Sequence, residues 1–300
     1  MQTQSDLDFG RRLTEIADRV TVALDQLIPP AQGPEADLMR AMRHSALANG
    51  KRMRPFYLIE TGAMFEAPEK SLLRAAAALE CVHSYSLIHD DLPCMDDDDF
   101  RRGQPTVHKA FDEATAVLAG DALLTLAFKI LANRETHQDA HIRLKLLERL
   151  ADSSGALGMV GGQMIDMLET ESPRDLNTIT RMQRLKTGAL ISYSVEAGAI
   201  IGGAGEAERH ALHGFAHDLG LAYQISDDLL DATGNEAEVG KPLRTDETAG
   251  KANFVTLMGV DQARERVRLL AAQAKEHLAI FRNRANILLQ SVDFVLDRKH

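Results

Sequence analysis

Residues 117–131 read VLAGDALLTLAFKIL. Val117, Leu118, Asp121, Leu124, Thr125, Phe128 and Leu131 recur at three- and four-residue spacing and are mostly apolar, which predicts an α-helix. No proline interrupts the chain between Pro105 and Pro173, or between Pro173 and Pro242. Proline breaks helices, so these stretches permit long ones. Met182, Leu185, Ala189, Ser192, Val195 and Ala199 repeat the pattern, as do Val267, Leu270, Ala274 and Leu278. Sustained alternation with β-branched residues is absent. Turn signals fall at Pro29-Pro30, Ala67-Pro68, Gly103-Gln104-Pro105, Ser172-Pro173, residues 201–205 and residues 233–244. They divide the chain into eight to ten helices. No linker separates two cores and no repeat of fixed period is found. The expectation is one all-α domain over residues 1–300, a single large bundle with its site inside.

Composition sets the outer bounds. The chain has 300 residues, 45% hydrophobic and 26% charged, which is ordinary for a globular protein. A chain this long buries roughly 75% of its unfolded surface and needs no disulfide to fold. The net charge of -10 argues against a nucleic-acid scaffold, yet leaves room for a local basic site. Cys81 and Cys94 are too few for a disulfide framework and read as free thiols of a reducing compartment. The N-terminal stretch shows no basic region followed by an apolar run. The most apolar window, residues 114–131, is broken by Asp121 and Lys129, so no membrane span is expected. These readings predict a cytoplasmic protein.

The densest chemistry lies in DDLPCMDDDD, residues 90–99, where six carboxylates occupy ten positions. Such repulsion is relieved by cations. The run follows a strongly apolar helix, residues 75–88, and lacks the EF-hand pattern. A second cluster stands at Asp227, Asp228 and Asp231, where Asp227 and Asp231 share a helix face. Oxygen-only clusters suit a hard cation, and Mg²⁺ is held by a few carboxylates together with substrate phosphates. Basic residues gather at Lys51, Arg52 and Arg54, at Arg101 and Arg102, at Lys186, and at Lys241 and Lys251. Arginine forks and lysine ammonium groups both suit phosphate oxygens. His83 precedes Asp90 by seven residues, which turns a helix by about 700° and leaves the two side chains roughly in line. His210, His213 and His217, and the pair His137 and His141, have helical spacing but no completing ligand, so a zinc site is not expected.

The runs GKRMRP (50–55), SLIHDDLPCMDDDDFRRGQPTVHKAF (86–111), GGQMID (161–166), LKTGAL (185–190) and QISDDLLDATGNEAEVGK (224–241) resemble the trans-isoprenyl diphosphate synthases. The resemblance covers nearly the whole chain. It implies an all-α bundle of long helices around a deep central cavity, usually a homodimer. It also implies head-to-tail addition of isopentenyl diphosphate to an allylic diphosphate. Asp90, Asp91 and Asp96, and Asp227, Asp228 and Asp231, resemble the Mg²⁺ ligands, with three ions when substrate is bound. Lys51, Arg54, His83 and Arg102 resemble the isopentenyl diphosphate site. Arg101, Lys186, Lys241 and Lys251 resemble contacts to the allylic diphosphate or the loop that closes over it. Lys186, Thr187 and Gln224 resemble the groups near the developing cation. Gln163 and Asp166 match a motif without an assigned role.

The first motif is DDxxxxD, with Tyr85 five residues and Ser86 four residues before Asp90. In bacterial members that resemble this chain, a longer motif with an aromatic at that position goes with a C15 product. The expectation is therefore farnesyl diphosphate, built from dimethylallyl and geranyl diphosphates. A geranylgeranyl-forming enzyme is the nearer alternative and a terpene cyclase the more distant one. No nucleic-acid partner is expected.

Overall fold

The computed structural model describes residues 4–168, 175–234 and 252–296. Among these residues the structure is helical almost throughout, as the periodicity predicts, with one antiparallel pair of two-residue strands. The chain folds as two compact units. One contains Gly10–Leu150 and Ala197–Gly203; the other contains Met1–Phe9, Ala151–Glu196 and Ala204–His300.

The first unit is built around α4 (Glu69–Asp90), which packs on α2 (Ala36–Ala46), α3 (Met53–Ala63) and α6 (Glu113–Ala132). Four consecutive alanines, Ala75, Ala76, Ala77 and Ala78, are fully buried. Successive helical residues point about 100° apart, so burial of four in a row means burial on every side. Small side chains let the neighbouring helices approach together. α1 (Gln4–Leu27) contributes Leu13, Ile16, Val20 and Leu24 to the core from one face.

α6 forms where expected, but a different face is buried. Ala116, Ala119, Leu123, Ala127 and Ile130 face the core, whereas Val117 and Leu118 are 41% and 57% exposed. The helix is apolar on both sides, so periodicity finds it without deciding which side packs. By length and composition alone α6 could cross a membrane, contrary to the expectation that no window could. Its inner face packs on α4 and α2, as a core helix does.

α6 ends at Asn133, whose side chain accepts the Glu135 N–H at 2.8 Å, and α7 (Ala140–Ser154) follows. α5 (Val107–Ala110) is a single turn. β1 (Phe100–Arg101) and β2 (Gln104–Pro105) form a hairpin whose turn residues, Arg102 and Gly103, have φ of 54° and 77°. Two positive φ values in a two-residue turn give the twist that a tight hairpin needs.

The second unit holds α8 (Met159–Met167), α9 (Leu176–Gln183), a π-helical turn (Arg184–Gly188) and α10 (Ala189–Ile201) up to Glu196, the last three without a break between them. The π-turn inserts a residue and rotates the apolar stripe. Met182, Val195 and Ala199 are buried, while Leu185, Ala189 and Ser192 between them are only half-buried.

α11 (Glu206–Thr233) pairs with α13 (Val260–His277), which buries Val267, Leu270 and Ala274 as predicted. α12 (Phe254–Met258), a 3₁₀ segment (Leu278–Ala285) and α14 (Asn286–Leu296) complete the described residues. Among the described residues there are fourteen α-helices rather than eight to ten. The extra count comes from α5, α12, the π interruption and breaks after α6 and α7 that use no proline.

Candidate active site

In the first unit, α4 delivers Asp90 at its last turn. The following loop folds back on itself: Met95 N–H donates to Leu92 C=O at 2.9 Å, and Asp96 N–H donates to Asp90 C=O at 2.8 Å. Asp97, with φ of 54°, completes the reversal. The backbones of Asp90 and Asp96, six residues apart in sequence, are thus bonded together at the negative end of the α4 dipole.

Asp91 points elsewhere. It is buried, and its carboxylate accepts from Arg101 Nε at 2.5 Å, while Arg101 Nη2 donates to Asp98 at 2.9 Å. Burial pushes the Asp91 carboxyl above its ordinary range; Arg101 opposes that shift and Asp98 and Asp96 add to it. Thr106 Oγ1 donates to the Asp98 carbonyl at 2.8 Å and ties the acidic loop to the hairpin.

The basic segment at residues 51–54 divides in the same way. Arg52 is buried and pairs with the equally buried Glu80. It also donates to the carbonyls of Ala46 and Ala48 at 2.7 and 3.0 Å. Arg52 therefore holds the loop before α3, where Lys51 is exposed and Arg54 half-buried.

His83 Nε2 lies 3.4 Å from Arg102 Nη2. Burial, followed by Arg54, Arg102, Arg52 and Arg101, holds the imidazole well below its ordinary value, so it is neutral. Burial is the larger cause of that shift, and of the four arginines Arg52 is paired with Glu80 and Arg101 with Asp91 and Asp98.

Tyr85 is buried, with its ring T-shaped to His89 at 5.8 Å between centroids. Burial and then Asp90 raise its hydroxyl to about 12. Ser86 Oγ donates to the His83 carbonyl at 2.9 Å. Cys81 is buried and Cys94 exposed; both are free thiols.

In the second unit, Lys186 and Thr187 sit in the π-turn. π-turns recur at functional sites because they re-aim side chains within a helix. Lys186 Nζ donates to Asp166 Oδ2 of α8 at 2.5 Å. The Gly188 Cα is 3.6 Å from where a Gly220 side chain would begin, so the turn lies close against α11. Gln224 lies four residues beyond Gly220 on α11, with Asp227 and Asp231 one and two turns further. Asp227 and Asp231 are half-buried. Asp228 is buried and accepts the Phe254 N–H at 2.8 Å, capping the region where α12 begins. Lys241 and Lys251 lie outside the described residues.

His217 and His277 share the carboxylate of Asp218 at 3.1 and 3.3 Å and pin α11 to α13. His210 and His213 are exposed.

The carboxylates fit a hard cation. Among the described residues no three His, Cys, Asp or Glu side chains converge to enclose an ion by themselves. Mg²⁺ needs no such cage, because it keeps water and takes substrate phosphates as ligands. Sequence reasoning did not anticipate the Asp166–Lys186 pair, the π-turn or the Glu80–Arg52 pair. Only GGQMID offered a signal for the first of them.

The polyprenyl synthetase family model matches residues 35–285. Farnesyl diphosphate synthase from Escherichia coli (strain K12) is 42% identical over 91% of this chain and 92% of its own length. The farnesyl diphosphate synthase of Geobacillus stearothermophilus is 43% identical over the same shares. A crystal structure from Zymomonas mobilis described as an FPP/GFPP synthase superposes with a TM-score of 0.89. It is 44% identical and covers 97% of this chain and 99% of its own.

Proposed function

This chain belongs to the polyprenyl synthetase family, and from that premise we propose that it condenses isopentenyl diphosphate with dimethylallyl and then geranyl diphosphate to form farnesyl diphosphate. The observation that carries the reading is the loop that folds back to bond the Asp96 N–H to the Asp90 carbonyl at the end of α4, in the same unit as a neutral His83 beside Arg102. The similarity to two farnesyl diphosphate synthases over more than nine-tenths of the chain supports the C15 product. The family match runs through both units and supports one catalytic domain over residues 1–300.

Asp90 and Asp96 in one unit, and Asp227 and Asp231 in the other, would hold Mg²⁺, with three ions when substrate is bound. Asp91 and Asp228 stand beside them in the same two clusters, Asp91 bonded to Arg101 and Asp228 to the Phe254 N–H. Bound there, Mg²⁺ lends Lewis-acid assistance to departure of the diphosphate. Lys51, Arg54 and Arg102 bind the isopentenyl diphosphate, and His83 hydrogen-bonds beside them. Lys186 and Arg101 take the allylic diphosphate, assisted by Lys241 and Lys251.

Charge grows on the departing oxygens in the transition state, so preplaced cations act there most strongly. Thr187 and Gln224 present oxygen dipoles to the cation left behind. The isopentenyl double bond attacks its C1, and the departed diphosphate takes the released proton. The carbons must be kept dry, because water would capture the cation. Tyr85 forms the floor on which the growing chain stops, with Ser86 beside it.

A second copy of the chain is the proposed partner. Leu157, Val160, Met164, Met167 and Leu168 are 86%, 48%, 56%, 46% and 63% exposed along one stripe of the α8 segment. A contiguous apolar stripe of this kind marks an interface. Two free thiols support a cytoplasmic location.

The test is incubation with labelled isopentenyl diphosphate, dimethylallyl diphosphate and Mg²⁺, followed by sizing of the dephosphorylated alcohols. A dominant C15 alcohol is expected. Predominant C20 would move the assignment to geranylgeranyl synthesis, and cyclic hydrocarbon without isopentenyl incorporation would reject it.

A further inference from the structure

The π-turn lysine is gripped twice by one helix. Gly162 brings α8 so close that a side chain there would begin 2.2 Å from the Lys186 backbone nitrogen and 2.6 Å from its Cα. One helical turn later, Asp166 takes the Lys186 ammonium at 2.5 Å. Both side chains are substantially buried, at 27% and 12% exposed. Backbone and head group are thus fixed by residues four apart on the same face of α8. Neither contact is needed to form the helix, and the glycine weakens it.

We propose that Asp166 is a positioning residue that aims the Lys186 ammonium before the allylic diphosphate arrives. This rests on reading Lys186 as a contact to that diphosphate. A lysine side chain has many rotamers, and holding it in one place is costly when substrate must do so alone. Asp166 meets that cost during folding. The ammonium carries three N–H donors, and Asp166 occupies one, which leaves two for phosphate oxygens. The carboxylate can therefore remain in place during turnover. Its effect is expressed through Lys186, most strongly when charge builds on the leaving diphosphate.

The test is a double-mutant cycle with geranyl diphosphate as the allylic substrate. Asp166→Ala should lower kcat/KM for geranyl diphosphate about tenfold, largely in kcat, and leave the KM for isopentenyl diphosphate unchanged. Asp166→Asn keeps an oxygen acceptor and should lose only about threefold. In a Lys186→Met background, Asp166→Ala should cost no more than about twofold. The Mg²⁺ concentration for half-maximal activity should stay the same in Asp166→Asn.

An undiminished Asp166→Ala effect in the Lys186→Met background overturns the proposal, as does a shifted Mg²⁺ requirement. If Lys186→Met is impaired but both Asp166 variants are not, positioning is refuted and the role of Lys186 stands. If Lys186→Met is unimpaired, both fall. Thermal melting of each variant separates loss of fold from loss of aim, and the near-isosteric Asp166→Asn carries the cycle if Asp166→Ala melts early.

Discussion

Replacing Gly162 with alanine perturbs the candidate site without touching a charged group. The new Cβ would stand 2.2 Å from Lys186 N, 2.6 Å from Lys186 Cα and 2.8 Å from the Leu185 carbonyl carbon. All three are backbone atoms, so no side chain can swing aside. Ordinary contact requires α8 and the π-turn to separate by about 1 Å, a displacement that can lower turnover on the order of a hundredfold when it moves a catalytic group. Overpacking of this kind costs about 1–3 kcal/mol of stability, partly offset by the better helix propensity of alanine.

The assay is steady-state turnover with geranyl and isopentenyl diphosphates, alongside urea unfolding. The loss should fall mainly on kcat with the allylic substrate. Gly10→Ala in α1 is the control: nothing lies within 4 Å of its added methyl. It should gain about 0.4–1 kcal/mol and leave turnover unchanged. If Gly162→Ala matches the wild type in both turnover and stability, α8 does not press on the π-turn as described, and the account of how Lys186 is placed fails.

Asp90→Ala or Asp227→Ala should cost several powers of ten in turnover while the protein still folds, since each removes a metal ligand and relieves repulsion in its cluster; near-normal activity in Mg²⁺ would dismiss either assignment. Tyr85→Ala should move the product from C15 towards C20, because the ring sits five residues, about 7.5 Å, behind Asp90 along the axis. Chromatography showing an active variant that still stops at C15 would remove Tyr85 from the floor. His83 has a depressed pKa in the fold, so below its unfolded value of about 6.5 the unfolded chain binds a proton that the folded chain does not. The stability tied to it is complete above about pH 6.5 and is lost as pH falls towards the folded value. Wild type should therefore lose more stability than His83→Gln between pH 7 and 5, and parallel melting curves would contradict this.

The helical class was legible because periodicity and proline spacing are local properties. Val267, Leu270 and Ala274 are buried as their spacing predicts. The acidic and basic clusters were legible because like charges in short runs demand a counter-ion wherever they fold. α6 shows the limit: with apolar residues on both faces, its pattern is compatible with either side turned inward. The π-turn was not legible either, since RLKTG (residues 184–188) continues a helix by propensity and only packing against α8 and α11 reveals the inserted residue.

What the sequence determined by itself was the helical architecture, the carboxylates and cations available to it, and the motifs that bring diphosphate chemistry to mind. It did not determine which partner each member of an adjacent pair takes. Asp90 and Asp91, or Asp227 and Asp228, are neighbours of identical chemistry, yet on a helix they point about 100° apart. Arg101 claims Asp91 and the Phe254 N–H claims Asp228, while Glu80 removes Arg52 from the basic run. Those partners come from elements 10, 26 and 28 residues away. Buried charge must find a partner in three dimensions, so the partners that Asp91, Asp228 and Arg52 take were decided by tertiary packing.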